Sequence, residues 1–162
     1  MDMVEWFPEL IHMKFWQRKG LIRLFFFLYC ALMLWLLFIR YRDVAVTDYW
    51  TQVADRFNPV PFSSIGSMLQ HLREDPRWEV LQVVIYNLGG NIGMFLPMGM
   101  LLPALFPKQR RFGRCMVTVA VIMTCVEFLQ LVTLRGFCET DDVILNVLGA
   151  GLGYGFWRMT SK

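Results

Sequence analysis

Long apolar runs alternate with polar segments along the chain, and their lengths set the architecture. The run 21–39 (LIRLFFFLYCALMLWLLFI) carries one charge, Arg23, near its start. A helix needs about 20 residues to cross the hydrocarbon core, so this run predicts a transmembrane helix. Ile39-Arg40-Tyr41-Arg42-Asp43 follows it without a small-x-small cleavage site, which argues for a retained anchor. A second run, 80–106, is punctuated by Gly89, Gly90, Gly93, Pro97, Gly99 and Pro103. Helix breakers persist at membrane depth where neighbouring helices or polar side chains satisfy the freed backbone groups, so this span is expected to be kinked and internal. The third run is 115–134 (CMVTVAVIMTCVEFLQLVTL). The fourth, 142–157 (DVILNVLGAGLGYGFW), is short and places Gly149, Gly151, Gly153 and Gly155 in two overlapping small-xxx-small pairs. That spacing lets helix backbones approach closely in lipid.

The polar segments between these runs are not uniform. In residues 1–20, Val4, Trp6, Phe7, Leu10, Ile11, Met13 and Trp16 recur at roughly helical spacing, which predicts a cytoplasmic interfacial helix; the competing reading is a frayed tail. Residues 41–79 hold Trp50, Phe57, Phe62 and Trp78, more aromatic weight than a disordered linker carries. There Asn58-Pro-Val-Pro-Phe62 must be extended, and Ser63 or Ser64 is expected to cap a short helix through Leu72. The expectation is an all-α membrane protein with four transmembrane helices in one membrane domain over 21–158, capped on its outer side by 41–79.

Composition agrees: 56% of the 162 residues are hydrophobic and 18% charged, too apolar for an ordinary soluble domain. Positive charge then reads as topology rather than as a nucleic-acid surface. Lys14, Arg18, Lys19 and Arg23 flank the first run, Lys108, Arg110, Arg111 and Arg114 fill the linker before the third, and Arg158 and Lys162 end the chain. With four spans these lie on one side, so both termini and that linker are expected in the cytoplasm. Trp35, Trp78 and Trp157 stand near predicted span ends as an aromatic belt. The four cysteines cannot form a disulfide framework, since only Cys138 faces outward. The methionines of the second span read as gap fillers rather than a copper site.

Polar residues inside the runs carry the candidate chemistry. Glu127 lies in the third run with no cation beside it there, and an intramembrane carboxylate is a functional candidate because its burial costs roughly 2.5 kcal/mol or more. Asn87 and Asn91, and Asp142 and Asn146, are spaced i,i+4, while Glu127 and Gln130 are spaced i,i+3, so each pair shares a helical face. At about 1.5 Å per residue, all six fall in the outer half of the membrane. Two readings compete. The amides act as interhelical glue with Glu127 protonated or paired to Arg135, or the cluster lines an outward cavity for a polar head group. Carboxylates are unnecessary for glue, which favours a site formed by Glu127, Arg135, Asp141 and Asp142. For Asp142 a metal role is set against a simpler one, the N-cap of the fourth helix.

The run Asn87-Leu-Gly-Gly-Asn-Ile-Gly-Met-Phe-Leu-Pro-Met-Gly99, then Glu127-Phe-Leu-Gln130, then Asp141-Asp-Val-Ile-Leu-Asn-Val-Leu-Gly149 resembles the VanZ-like family of small membrane proteins, as does Arg56-Phe-Asn-Pro-Val-Pro-Phe62. Glu139-Thr140 stands where that pattern leads one to expect an Asp-hydrophobic pair. The resemblance implies a bacterial cell-envelope protein, with namesake members in Gram-positive glycopeptide resistance raising resistance to teicoplanin. It implies membrane lipids as partners, with a lipid-linked cell-wall precursor or a lipoglycopeptide as ligand, and no cofactor. Two other classes remain open: an intramembrane enzyme with Glu127 as general base, and a small oligomeric transporter. Against the enzyme, the chain has no nucleophile elbow, HExxH or Cys/His metal set.

Overall fold

The structure is a computed structural model that describes residues 19–39 and 48–161. The interfacial helix expected over 1–20 therefore lies outside the described residues, save Lys19 and Gly20, which already belong to the first span.

Helix α1 (Lys19–Leu34) closes in a π-helical turn, Trp35–Ile39. Two short helices follow, α2 (Tyr49–Asp55) and α3 (Ser63–Glu74), and then three long ones, α4 (Trp78–Leu105), α5 (Phe112–Val132) and α6 (Thr140–Thr160). Two-residue strands β1 (Phe57–Asn58) and β2 (Cys138–Glu139) pair in parallel, Phe57 opposite Cys138 and Asn58 opposite Glu139. Three helical stretches, Lys19–Ile39, Trp78–Leu105 and Phe112–Val132, are long and apolar enough to cross a membrane. Helix α6 matches α5 at 21 residues but is less apolar, because Asp141, Asp142, Asn146 and four glycines interrupt it. The chain is an all-α, multi-pass membrane protein. Large apolar side chains such as Leu24, Phe27, Val117, Val121 and Phe128 point outward, a placement that suits acyl chains and not water.

The breakers in α4 do not divide it: the helix runs 28 residues with Pro97 and Pro103 inside. Proline at 97 deprives the Gly93 carbonyl of its helical donor. One residue along, the Tyr29 hydroxyl of α1 donates to the Met94 carbonyl at 2.8 Å, and near the helix end Arg110 Nε donates to the Pro103 carbonyl at 3.4 Å.

Small residues set the closest packing. Helices α4 and α6 run side by side in the same direction and share the most extensive interface among the described residues. A Cβ at Gly149 would fall on the carbonyl of Ile92, one at Gly153 on that of Leu96, and one at Gly99 on that of Ala150. Beneath this seam Phe95, Met98, Leu102, Cys115, Val119, Met123, Ala150, Tyr154 and Trp157 form the core. The Tyr154 hydroxyl donates to the Arg110 carbonyl and its ring meets Phe112 edge-on, which ties α6 to the Pro107–Arg110 turn.

At the opposite end, 48–77 forms a structured cap. Its ties to the bundle are polar: Tyr49 donates to the Val132 carbonyl at 2.9 Å, the Arg56 guanidinium to the Leu134 carbonyl, and Thr140 to the Pro59 carbonyl at 3.0 Å. The expected serine cap of α3 is not formed. Asn58 Nδ2 donates to the hydroxyls of Ser63 and Ser64 at 2.9 and 3.2 Å, and the cap position is Phe62, in the left-handed region at φ 64°. A carboxylate from α6 supplies the missing acceptor.

Candidate functional site

Four of the polar residues singled out in the sequence are fully buried: Glu127 is 3% exposed, Gln130 6%, Asp141 2% and Asn146 2%. They converge because α5 ends, turns and restarts as α6 within seven residues. That turn bends through Leu134, a non-glycine residue at φ 55° held by Arg56, and through the Arg135 backbone N–H, which donates to the Gln130 carbonyl at 2.9 Å. The polar ends of α5 and α6 are thereby brought face to face beside α4.

Between them lies a cavity of about 460 Å³. Leu36 and Leu37 line it from the end of the first span, Ser64, Ile65 and Met68 from α3, and Asn87, Leu88, Asn91 and Met94 from α4. Met123, Glu127 and Gln130 of α5, Gly136, Phe137 and Glu139 of the turn, and Asp141, Asp142, Leu145 and Asn146 of α6 complete the wall. Acidic and amide groups and Leu, Ile and Met side chains share the lining.

Hydrogen bonds fix most of the polar wall. Glu127 Oε2 accepts the backbone N–H of Glu139 at 3.2 Å, which occupies the N-cap of α6. Asp141 Oδ2 accepts the N–H of Ile65 at 2.9 Å and its Oδ1 that of Phe62, so the α6 carboxylate caps α3. Asn91 donates to Asp142 Oδ1, joining α4 to α6. Asp142 is thus not the N-cap of its own helix; it sits in the first turn, where a negative charge still meets the positive end of the helix dipole. Gln130 Nε2 donates to the Leu37 carbonyl at 2.8 Å, closing the wall against the π turn. Asn87, at the exposed rim, donates back to the Val83 carbonyl of α4 at 2.7 Å.

Arg135 stands apart from this group. Its guanidinium donates to the Phe38 carbonyl at 2.8 Å, it is not among the cavity's lining residues, and it makes no ion pair with Glu127. Its reach to the end of the first span positions the turn rather than neutralising the buried acid.

The lining carries four carboxylates, Glu127, Glu139, Asp141 and Asp142, and, among the described residues, no Lys, Arg or His. Among the described residues no group of three or more His, Cys, Asp and Glu is arranged to hold a metal ion. Next to the cavity in β2, burial pushes the Cys138 thiol pKa up, and the Glu127 carboxylate adds to the shift. Chemically the site offers hydrogen-bond acceptors together with apolar contact, a mixture suited to an amphiphile.

Sequence reasoning missed Ile65 and Met68, although Ile65, Met68, Leu69 and Leu72 repeat at helical spacing and mark an apolar face on α3. Glu139 was read as a departure from a motif, not as a wall residue; no local signal marks it, because its place follows from the β1–β2 pairing.

A profile of the VanZ/LLP1 family matches residues 26–161, so it covers the bundle, the cap and the cavity. No curated protein and no solved structure matches the chain.

Proposed function

The chain belongs to the VanZ/LLP1 family, and we propose that it is a bacterial cell-envelope protein that modulates resistance to lipoglycopeptide antibiotics such as teicoplanin. In this reading the cavity faces the outer side of the cell membrane and takes a lipid-linked envelope molecule or the acyl tail of the drug. The cavity carries the proposal: its lining combines acidic and amide side chains with Leu36, Leu37, Met68, Met94, Met123 and Leu145. Orientation is supported by Lys108, Arg110, Arg111 and Arg114, which cluster at the bundle end away from the cavity. Basic residues concentrate on the cytoplasmic side of membrane proteins.

The test is the susceptibility of a sensitive Gram-positive host expressing the chain, measured against teicoplanin and vancomycin in parallel, with Glu127→Gln at equal membrane abundance. The amide oxygen of glutamine can still accept the Glu139 N–H, so this variant removes the ionisable carboxyl and keeps the bond. Protection against teicoplanin that vanishes in the variant is expected. Absence of protection by the wild type, or protection indifferent to Glu127, overturns the proposal.

A further inference from the structure

Acceptors and donors on the cavity wall are unequally used. Asn91 and Gln130 each donate to protein acceptors, Asp142 Oδ1 and the Leu37 carbonyl. On the acceptor side, Glu127 uses Oε2 and Asp142 uses Oδ1, while among the described residues Glu127 Oε1 and Asp142 Oδ2 accept nothing. A further observation is independent of the acids: Asn146, a lining residue only 2% exposed, has its buried Oδ1 without a hydrogen-bond partner. Buried polar atoms are almost always paired, and an orphan in a cavity wall marks a missing donor. Among the described residues, the lining therefore presents unused acceptor oxygens and no positive charge.

From this we infer that the cavity binds the primary ammonium head of an amphiphile, with the attached acyl chain along the Met and Leu wall; the inference rests on the reading that the cavity takes an envelope amphiphile. An ammonium brings three donors and no acceptor, against the unpaired oxygens of Glu127, Asp142 and Asn146. It also offsets the repulsion among carboxylates that have no lining cation among the described residues. A phosphate or pyrophosphate head brings the opposite, negative charge and acceptors only, into a wall that already has both in excess.

Two sources share the ammonium chemistry, a glycerophospholipid head and a lysine side chain on a lipid-linked peptide. The experiment uses the full chain in phosphatidylglycerol nanodiscs, with retained amphiphile read by native mass spectrometry. One arm adds phosphatidylethanolamine against its N-acetylated form, the other a palmitoylated lysyl peptide against its side-chain-acetylated form. Acetylation removes the charge and leaves the chain. The amine form is expected to be retained roughly tenfold over the acetylated form in at least one arm, a difference of about 1.4 kcal/mol. The arm in which this occurs identifies the source. Glu127→Gln should abolish the preference, and Asp142→Asn serves as the second variant, keeping an oxygen for Asn91. Equal retention of amine and acetylated forms in both arms, or no retention of either, overturns the ammonium assignment. Glu127-dependent protection against teicoplanin would then still uphold the broader function, so the two failures are distinguishable.

Discussion

The carboxylate of Asp141, in the first turn of α6, accepts the backbone N–H of Ile65, in the first turn of α3, at 2.9 Å across 76 residues of sequence. With the second bond from Phe62, one side chain satisfies two of the donors that a helix start leaves open. This contact ties the cap over the cavity to the bundle.

Asp141→Ala should therefore loosen α3 selectively. The lost charge-assisted capping is worth about 1–3 kcal/mol. Hydrogen exchange at Phe62–Leu69 should rise while the α4–α6 seam stays protected. Asp141→Asn keeps one acceptor oxygen and should fall between wild type and alanine. Equal protection in all three would show that the cap is held by other contacts.

The glycines of α6 should divide into two classes. At Gly149 and Gly153 an added Cβ meets the α4 backbone, which cannot yield as a flexible side chain can. Alanine at either should cost at least about 1–3 kcal/mol by overpacking, read as a lower melting temperature in detergent. Gly155 has open space around its missing Cβ, and Gly151 only the Met116 sulfur at 3.7 Å. Alanine at those two should be neutral or stabilise by up to about 1 kcal/mol through helix propensity.

Phe62 holds a left-handed conformation, φ 64°, while its side chain is 62% exposed. Glycine there removes a backbone penalty of about 1–2 kcal/mol and little packing. Phe62→Gly should raise the melting temperature in detergent. A lower melting temperature instead would mean that the ring is buried against detergent or lipid.

Cys138 gives a handle on topology and pH. It is half-buried at the cavity end, and its pKa is raised by burial, so the reactive thiolate is scarce near neutrality and grows as pH climbs past the ordinary thiol value of about 8.5. A membrane-impermeant maleimide applied to intact cells should label Cys138 slowly at pH 7 and faster at pH 9. Cys115, fully buried in the core, should stay unlabelled in the folded protein. Labelling that appears only after the membrane is opened would place the cavity on the cytoplasmic side.

Much of the fold was legible because membrane spans announce themselves by length and apolarity. Each of the four predicted runs is helical to within three residues at either end, and the first three are long and apolar enough to cross a membrane, while the fourth, 142–157, is not. Glu127 was legible for a related reason, since one carboxylate in a long apolar run stands out against its neighbours. Helical spacing also put Asn91 and Asp142 on faces that could meet, and they do.

The partners of these residues were decided by tertiary structure alone. Arg135 is eight positions from Glu127 and of opposite charge, yet the left-handed turn at Leu134 sends it to the Phe38 carbonyl. Ser63 and Ser64 satisfy every local rule for a helix cap, but Asn58 holds them and Asp141 supplies the acceptor from the far end of the chain. Local pattern sets which segments become helices, because span length and periodicity are properties of neighbouring residues. It does not set which buried donor meets which acceptor. That choice depends on the rotation of each helix and the path of each turn, and these are fixed only when the glycine seam between α4 and α6 closes.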